Sequence, residues 1–318
     1  MRNCVCARLS LSAVAPGNDH SKLPHPRDGG RLNPEIAASY RSAEAVARSR
    51  ARNFYYAFAV LPSEKRRAFC AVYSFMRYCD DISDGSGALD DKRRALEMWR
   101  AQLNAAVKGE FDGSPILPAF HDSVRRYSIP ADYFHWIIDG AEMDLTISHY
   151  ETFADLYRYC FNVASAVGLV CLQIFGYTEE RARKLAEHCG IAFQLTNILR
   201  DIKEDAGLGR IYLPAEDLER FHYAPDDLRR GVFDARFQEL MTFETDRASQ
   251  YYTQARALLP LVHAPSRPAL WAMMQIYERL LRKIVQRRFD VFGPAIRLSA
   301  AEKTAIALRA LSMRFFHI

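Results

Sequence analysis

Residues 65–84 read KRRAFCAVYSFMRYCDDISD. Ala68, Phe69, Cys70, Ala71, Val72, Phe75, Met76, Cys79 and Ile82 cover more of a helical circumference than a surface helix needs. The spacing predicts a helix over Lys65 to Asp84 that is buried on most sides. Its polar residues, Tyr73, Arg77, Asp80 with Asp81, and Asp84, fall at i, i+4, i+7/8 and i+11, so they form one stripe. A buried helix with an acidic stripe needs a cavity on that side.

The pattern recurs in GIAFQLTNILRDIKED, residues 190–205. Gln194, Asn197, Asp201 and Asp205 align at i, i+3, i+7 and i+11, Arg200 sits beside them, and Ile191, Phe193, Leu195, Ile198, Leu199 and Ile202 cover the rest. Like charges one turn apart destabilise a helix by a few tenths of a kcal/mol, and burying them without a counter-charge costs several kcal/mol more. Either motif alone could be a solvated helix end. The pair, each with an apolar flank, fits a shared divalent cation better. Magnesium takes one or two carboxylates, keeps several waters and shares phosphate oxygens with a substrate.

The rest of the 318-residue chain bounds this reading. Apolar residues recur at helical spacing from Pro34 onward without an alternating strand, which predicts an all-α fold of roughly eight to ten helices. Residues 1–34, rich in Pro, Gly, Asn and Asp after a basic start, read as a disordered leader, and 35–318 as a single domain. The net charge of +5 is spread without a basic block, so no nucleic-acid partner is expected. Seven cysteines, most of them in apolar helical patterns, favour a reducing cytoplasm, and Cys4 and Cys6 lack the second pair that a zinc site needs. The longest uncharged run, from Phe161, is interrupted by Asn, Ser, Gln and Gly and reads as a core helix rather than a bilayer span. Peripheral membrane association for release of a lipid product stays open.

Residues 52–84, RNFYYAFAVLPSEKRRAFCAVYSFMRYCDDISD, and 191–218, IAFQLTNILRDIKEDAGLGRIYLPAEDL, resemble the two aspartate motifs of the squalene/phytoene synthase family, the head-to-head isoprenyl diphosphate synthases. DGAEMDLTISHY (139–150), YCFNVASAVGLV (159–170) and FDVFGPAIRLSAAEKTAIALRAL (289–311) resemble further blocks of that family. The resemblance implies an isoprenoid-synthase helical bundle around a central cavity, a prenyltransferase activity on prenyl diphosphates, and Mg²⁺ or Mn²⁺ as cofactor. It implies Asp80, Asp84, Asp201 and Asp205 as metal-binding carboxylates, with Asn197 as a further ligand. It also implies Arg50, Arg52, Asn53, Phe54, Phe58, Tyr73, Arg77, Gln194, Arg200 and Tyr277 as residues that contact diphosphate or line the substrate channel. Tyr159 matches a tyrosine tied to proton removal or carbocation control, and Arg210 and Tyr212 match a flap over the site. The segment before Phe54 reads SRARN where relatives often carry Ser and Lys, a departure in the diphosphate anchor that still keeps Arg50 and Arg52 as cationic donors.

The expected chemistry is departure of diphosphate to leave an allylic cation, attack by a second prenyl chain, and proton loss that closes a cyclopropane, giving a presqualene- or prephytoene-type diphosphate. Such cations demand a dry cavity, and Phe54, Tyr55, Tyr56 and Phe58 could supply π faces or simply core. A bulky Phe58 favours two farnesyl diphosphates and a C30 product; two geranylgeranyl diphosphates giving phytoene is the alternative. No dinucleotide fingerprint is visible, although the family can bind NADPH without one. DDISD alone also fits a head-to-tail synthase or a class I terpene cyclase, and a non-catalytic assembly factor on the same domain would be expected to lack the acidic ligands that this chain keeps.

Overall fold

The computed structural model describes residues 33–50, 57–111 and 113–316. Among them are thirteen α-helices and no β-sheet. They are α1 (Pro34–Arg50), α2 (Ser63–Asp84), α3 (Leu89–Ala106), α4 (Leu117–Arg126), α5 (Ala131–Thr146), α6 (Phe153–Cys160), α7 (Ala166–Phe175), α8 (Arg181–Gly207), α9 (Ala215–Arg220), α10 (Pro225–Arg230), α11 (Ala235–Ala255), α12 (Arg267–Gln286) and α13 (Ala300–Phe316). The count exceeds the expectation for local reasons. Helices α9 and α10 are each six residues long, and a π-helical turn at Phe161–Ser165 divides one continuous run into α6 and α7.

Helix α8 is the hub. It packs against α7, α11, α12 and the π turn, while α2 packs against α1, α4, α5 and α7 on the other side of the cavity. The sequence pattern placed the start of α8 at Gly190, but the helix begins nine residues earlier in numbering, at Arg181. Gly190 is an interior residue whose role is close approach: a Cβ there would lie 2.5 Å from Ser165 Cα. Without a side chain at that point, the hub helix rests directly on the π turn, a kind of turn often found near functional sites.

Phe153–Phe175 is long and apolar enough, with mean hydropathy 1.4, to cross a membrane by length and composition; 61% of that window is buried inside the bundle. It serves as the core helix that the sequence suggested. Its far end is fixed by Lys65, whose Nζ donates to the Phe175 carbonyl at 2.6 Å and to Ser266 Oγ at 2.9 Å. Burial lowers that amine to about 8. The five described cysteines, Cys70, Cys79, Cys160, Cys171 and Cys189, are free and buried, and burial pushes the thiols of Cys70 and Cys171 up to about 12. They act as small apolar side chains. Cys4 and Cys6 lie outside the described residues.

Candidate active site

A cavity of about 390 Å³ lies between α2, α5, the π turn, α7, α8 and α12. Tyr73, Arg77, Asp80 and Asp84 from α2 and Gln194 and Asn197 from α8 line it, together with Phe58, Tyr159 and Tyr277. The α2 stripe and the Gln194–Asn197 part of the α8 stripe therefore face one space. Below them the wall is apolar, and Phe58 packs on Phe69 at a ring separation of 5.0 Å and Phe69 on Phe175 at 4.9 Å, closing one end with aromatic rings.

Not every expected residue faces this cavity. Asp205, Arg210 and Tyr212 line a small adjoining pocket of about 10 Å³. Asp201 lines neither; Arg200 Nε holds it at 2.8 Å, with a second guanidinium bond to its other oxygen. Adjacent residues on a helix diverge by about 100°, so an Arg at i and an Asp at i+1 can pair only by folding along the helix surface. On α2 the corresponding arginine is engaged too: Arg77 Nε donates to Asp81 Oδ1 at 2.8 Å, and its contact with Asp80 is longer, 3.7 Å. Asp81 is thus the outward partner of the stripe rather than part of the cavity wall. Arg50 ends α1 exposed to solvent, near enough to Tyr73 for its charge to favour the phenolate. Arg52, Asn53 and Phe54 lie outside the described residues.

The electrostatics single out the acids. Asp80 lines the cavity and keeps 58% of its side-chain area exposed. Loss of bulk solvation pushes its carboxyl up to about 7, with the charges of Asp84, Asp144 and Asp81 adding and Arg77 opposing. Asp205 is also raised to about 7, by burial first and then by Asp201. Tyr277, stacked on Phe193 at 4.2 Å, hydrogen-bonds with Asn197 and is pushed up to about 12 by burial. Among the described residues no three His, Cys, Asp or Glu side chains are gathered tightly enough to form a metal cage. Asp80 and Asp84 on α2 reach the cavity, whereas Asp201 and Asp205 on α8 do not line it; two carboxylates would leave most coordination positions of a hard cation to water and phosphate oxygens.

Asp144 was not singled out by the sequence. It lines the cavity from the last turn of α5, within electrostatic reach of Asp80, Asp84 and Asp205. Its Oδ1 accepts hydrogen bonds from Tyr159 Oη at 2.9 Å and from Tyr212 Oη at 3.0 Å. Burial raises its pKa, against the opposing effects of the Tyr159 bond and Arg210. The segment that carries Arg210 and Tyr212 is strapped to the end of α5: Ile211 N donates to the Ser148 carbonyl at 2.8 Å, Ala215 N to that of Tyr150 at 2.9 Å, and Arg210 Nη2 to that of Asp144 at 3.1 Å.

Solved structures share this helical arrangement. The chain aligns with a dehydrosqualene synthase solved in complex with a ligand at a TM-score of 0.80 and 28% identity, covering 87% of this chain and 97% of that one. It aligns with squalene synthase HpnC from Alicyclobacillus acidocaldarius at 0.77 and 28% identity, covering 81% and 97%. The fold is the all-α isoprenoid-synthase fold. The squalene/phytoene synthase family profile matches residues 47–302. Phytoene synthase of Mycobacterium tuberculosis is 38% identical over 87% of this chain and 92% of its own length. A 15-cis-phytoene synthase of Synechococcus elongatus is 34% identical over 84% and 90%. The chain belongs to the squalene/phytoene synthase family and is a prenyltransferase of the head-to-head kind.

Proposed function

We propose that this chain condenses two geranylgeranyl diphosphates head to head, with release of diphosphate, to a C40 product of the phytoene type. The observation that carries this reading is the naming of its sequence relatives as phytoene synthases at 34–38% identity over more than four-fifths of the chain. It reverses the preference for farnesyl diphosphate drawn from Phe58 alone. A specific observation keeps the C30 reaction as a second reading: the Phe58 ring lines the cavity, is 4% exposed, and closes on Phe69 and on Tyr73 at 6.4 Å.

In this proposal Asp80 and Asp84 on one helix, and Asn197, Asp201 and Asp205 on the other, hold magnesium, or manganese, together with the diphosphates. The raised carboxyls of Asp80 and Asp205 support it, because acids crowded without enough counter-charge favour a divalent cation. When bound, the metal would neutralise the leaving diphosphate. Arg77 and Arg200 exchange Asp81 and Asp201 for phosphate oxygens; Arg50, Arg52 and Asn53 supply further donors at the mouth. Tyr73, Gln194 and Tyr277 orient the diphosphate end, Phe54 and Phe58 the chain, and Arg210 and Tyr212 close over it. The apolar walls exclude water from the cation. The catalytic unit is taken as 35–318, acting in the cytoplasm with peripheral contact to a membrane for product release.

The test is incubation with farnesyl and with geranylgeranyl diphosphate separately, with and without NADPH, followed by identification of the lipid. A C40 hydrocarbon from the C20 substrate is expected. A C30 product from the C15 substrate alone selects the second reading, and the absence of Mg²⁺-dependent diphosphate release from either points to a non-catalytic assembly role.

A further inference from the structure

The proposed reaction needs a base for the proton lost at ring closure, and a phenol is poor at that task alone. A neutral tyrosine that accepts a proton while keeping its own becomes a strongly acidic oxonium. The Tyr159 hydroxyl, however, already donates to Asp144 Oδ1 at 2.9 Å. A phenol has one hydrogen. With that hydrogen committed to Asp144, the Tyr159 oxygen can only accept from other directions, and Tyr159 lines the cavity. Asp144 also receives the Tyr212 hydroxyl on the same oxygen, and the Arg210 guanidinium donates to its main-chain carbonyl. Asp144 lines the cavity too; of the two phenols bonded to its Oδ1, Tyr159 shares that lining and Tyr212 does not.

We infer that Asp144 is the terminal acceptor of that proton, taking it through Tyr159. This rests on the head-to-head reading above. A C–H bond beside the cationic carbon breaks and its electron pair closes the cyclopropane. The proton passes to Tyr159 Oη as the Tyr159 hydroxyl proton passes to Asp144 Oδ1, so the substrate cation loses one charge and the carboxylate becomes a neutral acid. The transfer is concerted, since burial beside Asp144 holds the Tyr159 phenol well above its usual range and disfavours a free phenolate. The raised carboxyl of Asp144 is suited to keeping the proton until product leaves. Although Asp144 shares the cavity lining, in this scheme it takes the proton from the Tyr159 hydroxyl rather than from the substrate, and acts as a positioning residue and proton sink.

The experiment compares Asp144→Asn, Asp144→Glu, Tyr159→Phe and the double variant Tyr159→Phe/Asp144→Asn, measuring diphosphate released, coupled lipid formed and prenyl alcohol formed with whichever prenyl diphosphate the wild type uses. Asparagine keeps an acceptor for both phenols but cannot take the proton. Coupled lipid should fall about 10²- to 10⁴-fold with little change in KM, while diphosphate release falls much less and prenyl alcohol makes up the difference. Asp144→Glu should recover part of the coupling, and the double variant should be no worse than the poorer single one. Substrate deuterated at the carbon that yields the proton should show a larger isotope effect in Asp144→Asn than in wild type. The ratio of lipid to diphosphate is read per turnover, so a smaller folded fraction does not alter it. A wild-type ratio in Asp144→Asn, or single-variant losses that multiply in the double variant, overturns the relay while the head-to-head activity stands. A wild type that releases no diphosphate overturns both.

Discussion

Two groups of acids in this protein are handled in opposite ways. Between α9 and α11, Asp217 and Glu244 are 5% and 1% exposed, and both are bonded by one arginine: Arg247 Nη1 lies 2.8 Å from Asp217 Oδ2 and 2.8 Å from each Glu244 oxygen. That guanidinium also covers the rings of Phe153 at 4.1 Å and Phe243 at 4.7 Å. At the cavity mouth the nearby arginines bond the outward members, Asp81 and Asp201, and Arg210 opposes the charge of Asp144 and Asp205 from a distance. The first group has one guanidinium bonded directly to both acids, and burial still raises Glu244 to about 8. The second keeps Asp80, Asp84 and Asp205 short of cations, which is an unstable arrangement unless one arrives from outside. What separates the groups is where the guanidinium sits: bonded to both acids between α9 and α11, and turned to the outward acids at the mouth.

Removing a mouth acid should have the largest effect. Asp80→Ala or Asp201→Ala should lower turnover by about 10³-fold or more while far-UV circular dichroism and Tm stay near wild type; near-normal rates in both variants would erase the distinction drawn above. In the other group the effect should be on stability. Arg247→Met strands two buried acids, and denaturant melts should show a loss of about 3–5 kcal/mol.

Titration gives the smallest effect, and it has the same sign in both groups, since burial raises Glu244 as well. The folded carboxyls of Asp80 and Asp205 are raised to about 7 from an ordinary value near 4. A raised acid pKa favours folding while the group is protonated, so the contribution is fully present below about pH 4 and is lost as pH rises through about 7. Metal-free protein should therefore lose stability across that window in thermal melts. Asp205→Asn should flatten the slope, and Mg²⁺ with inorganic diphosphate should offset the loss at pH 7 and above.

Periodicity made the two stripes legible because each lies on one helix, where a side chain's direction follows from its position in the chain. The same logic could not reveal Asp144. Its partners are 15 and 68 residues away, and near it Asp139 and Glu142 give α5 no clean polar stripe. Arg247 was equally hidden, since Asp217, Glu244 and Arg247 sit in polar helical stretches that look solvated until a second helix covers them. The displacement of Asp201 from the main cavity is another case: position on the helix put it in the stripe, and a bond to the neighbouring Arg200 turned it aside.

Gly168 and Gly190 both line the cavity, and a Cβ at the first would lie 3.1 Å from the Ala186 carbonyl oxygen, at the second 2.5 Å from Ser165 Cα. At those two positions nothing remains to be trimmed, for each already presents bare main chain. Descendants of this sequence that evolve toward longer isoprenoids could gain room at the ringed end by whittling Phe58, Phe69 or Phe175, but none at these glycines, and bulk added at Gly190 would lift the hub helix off its seat.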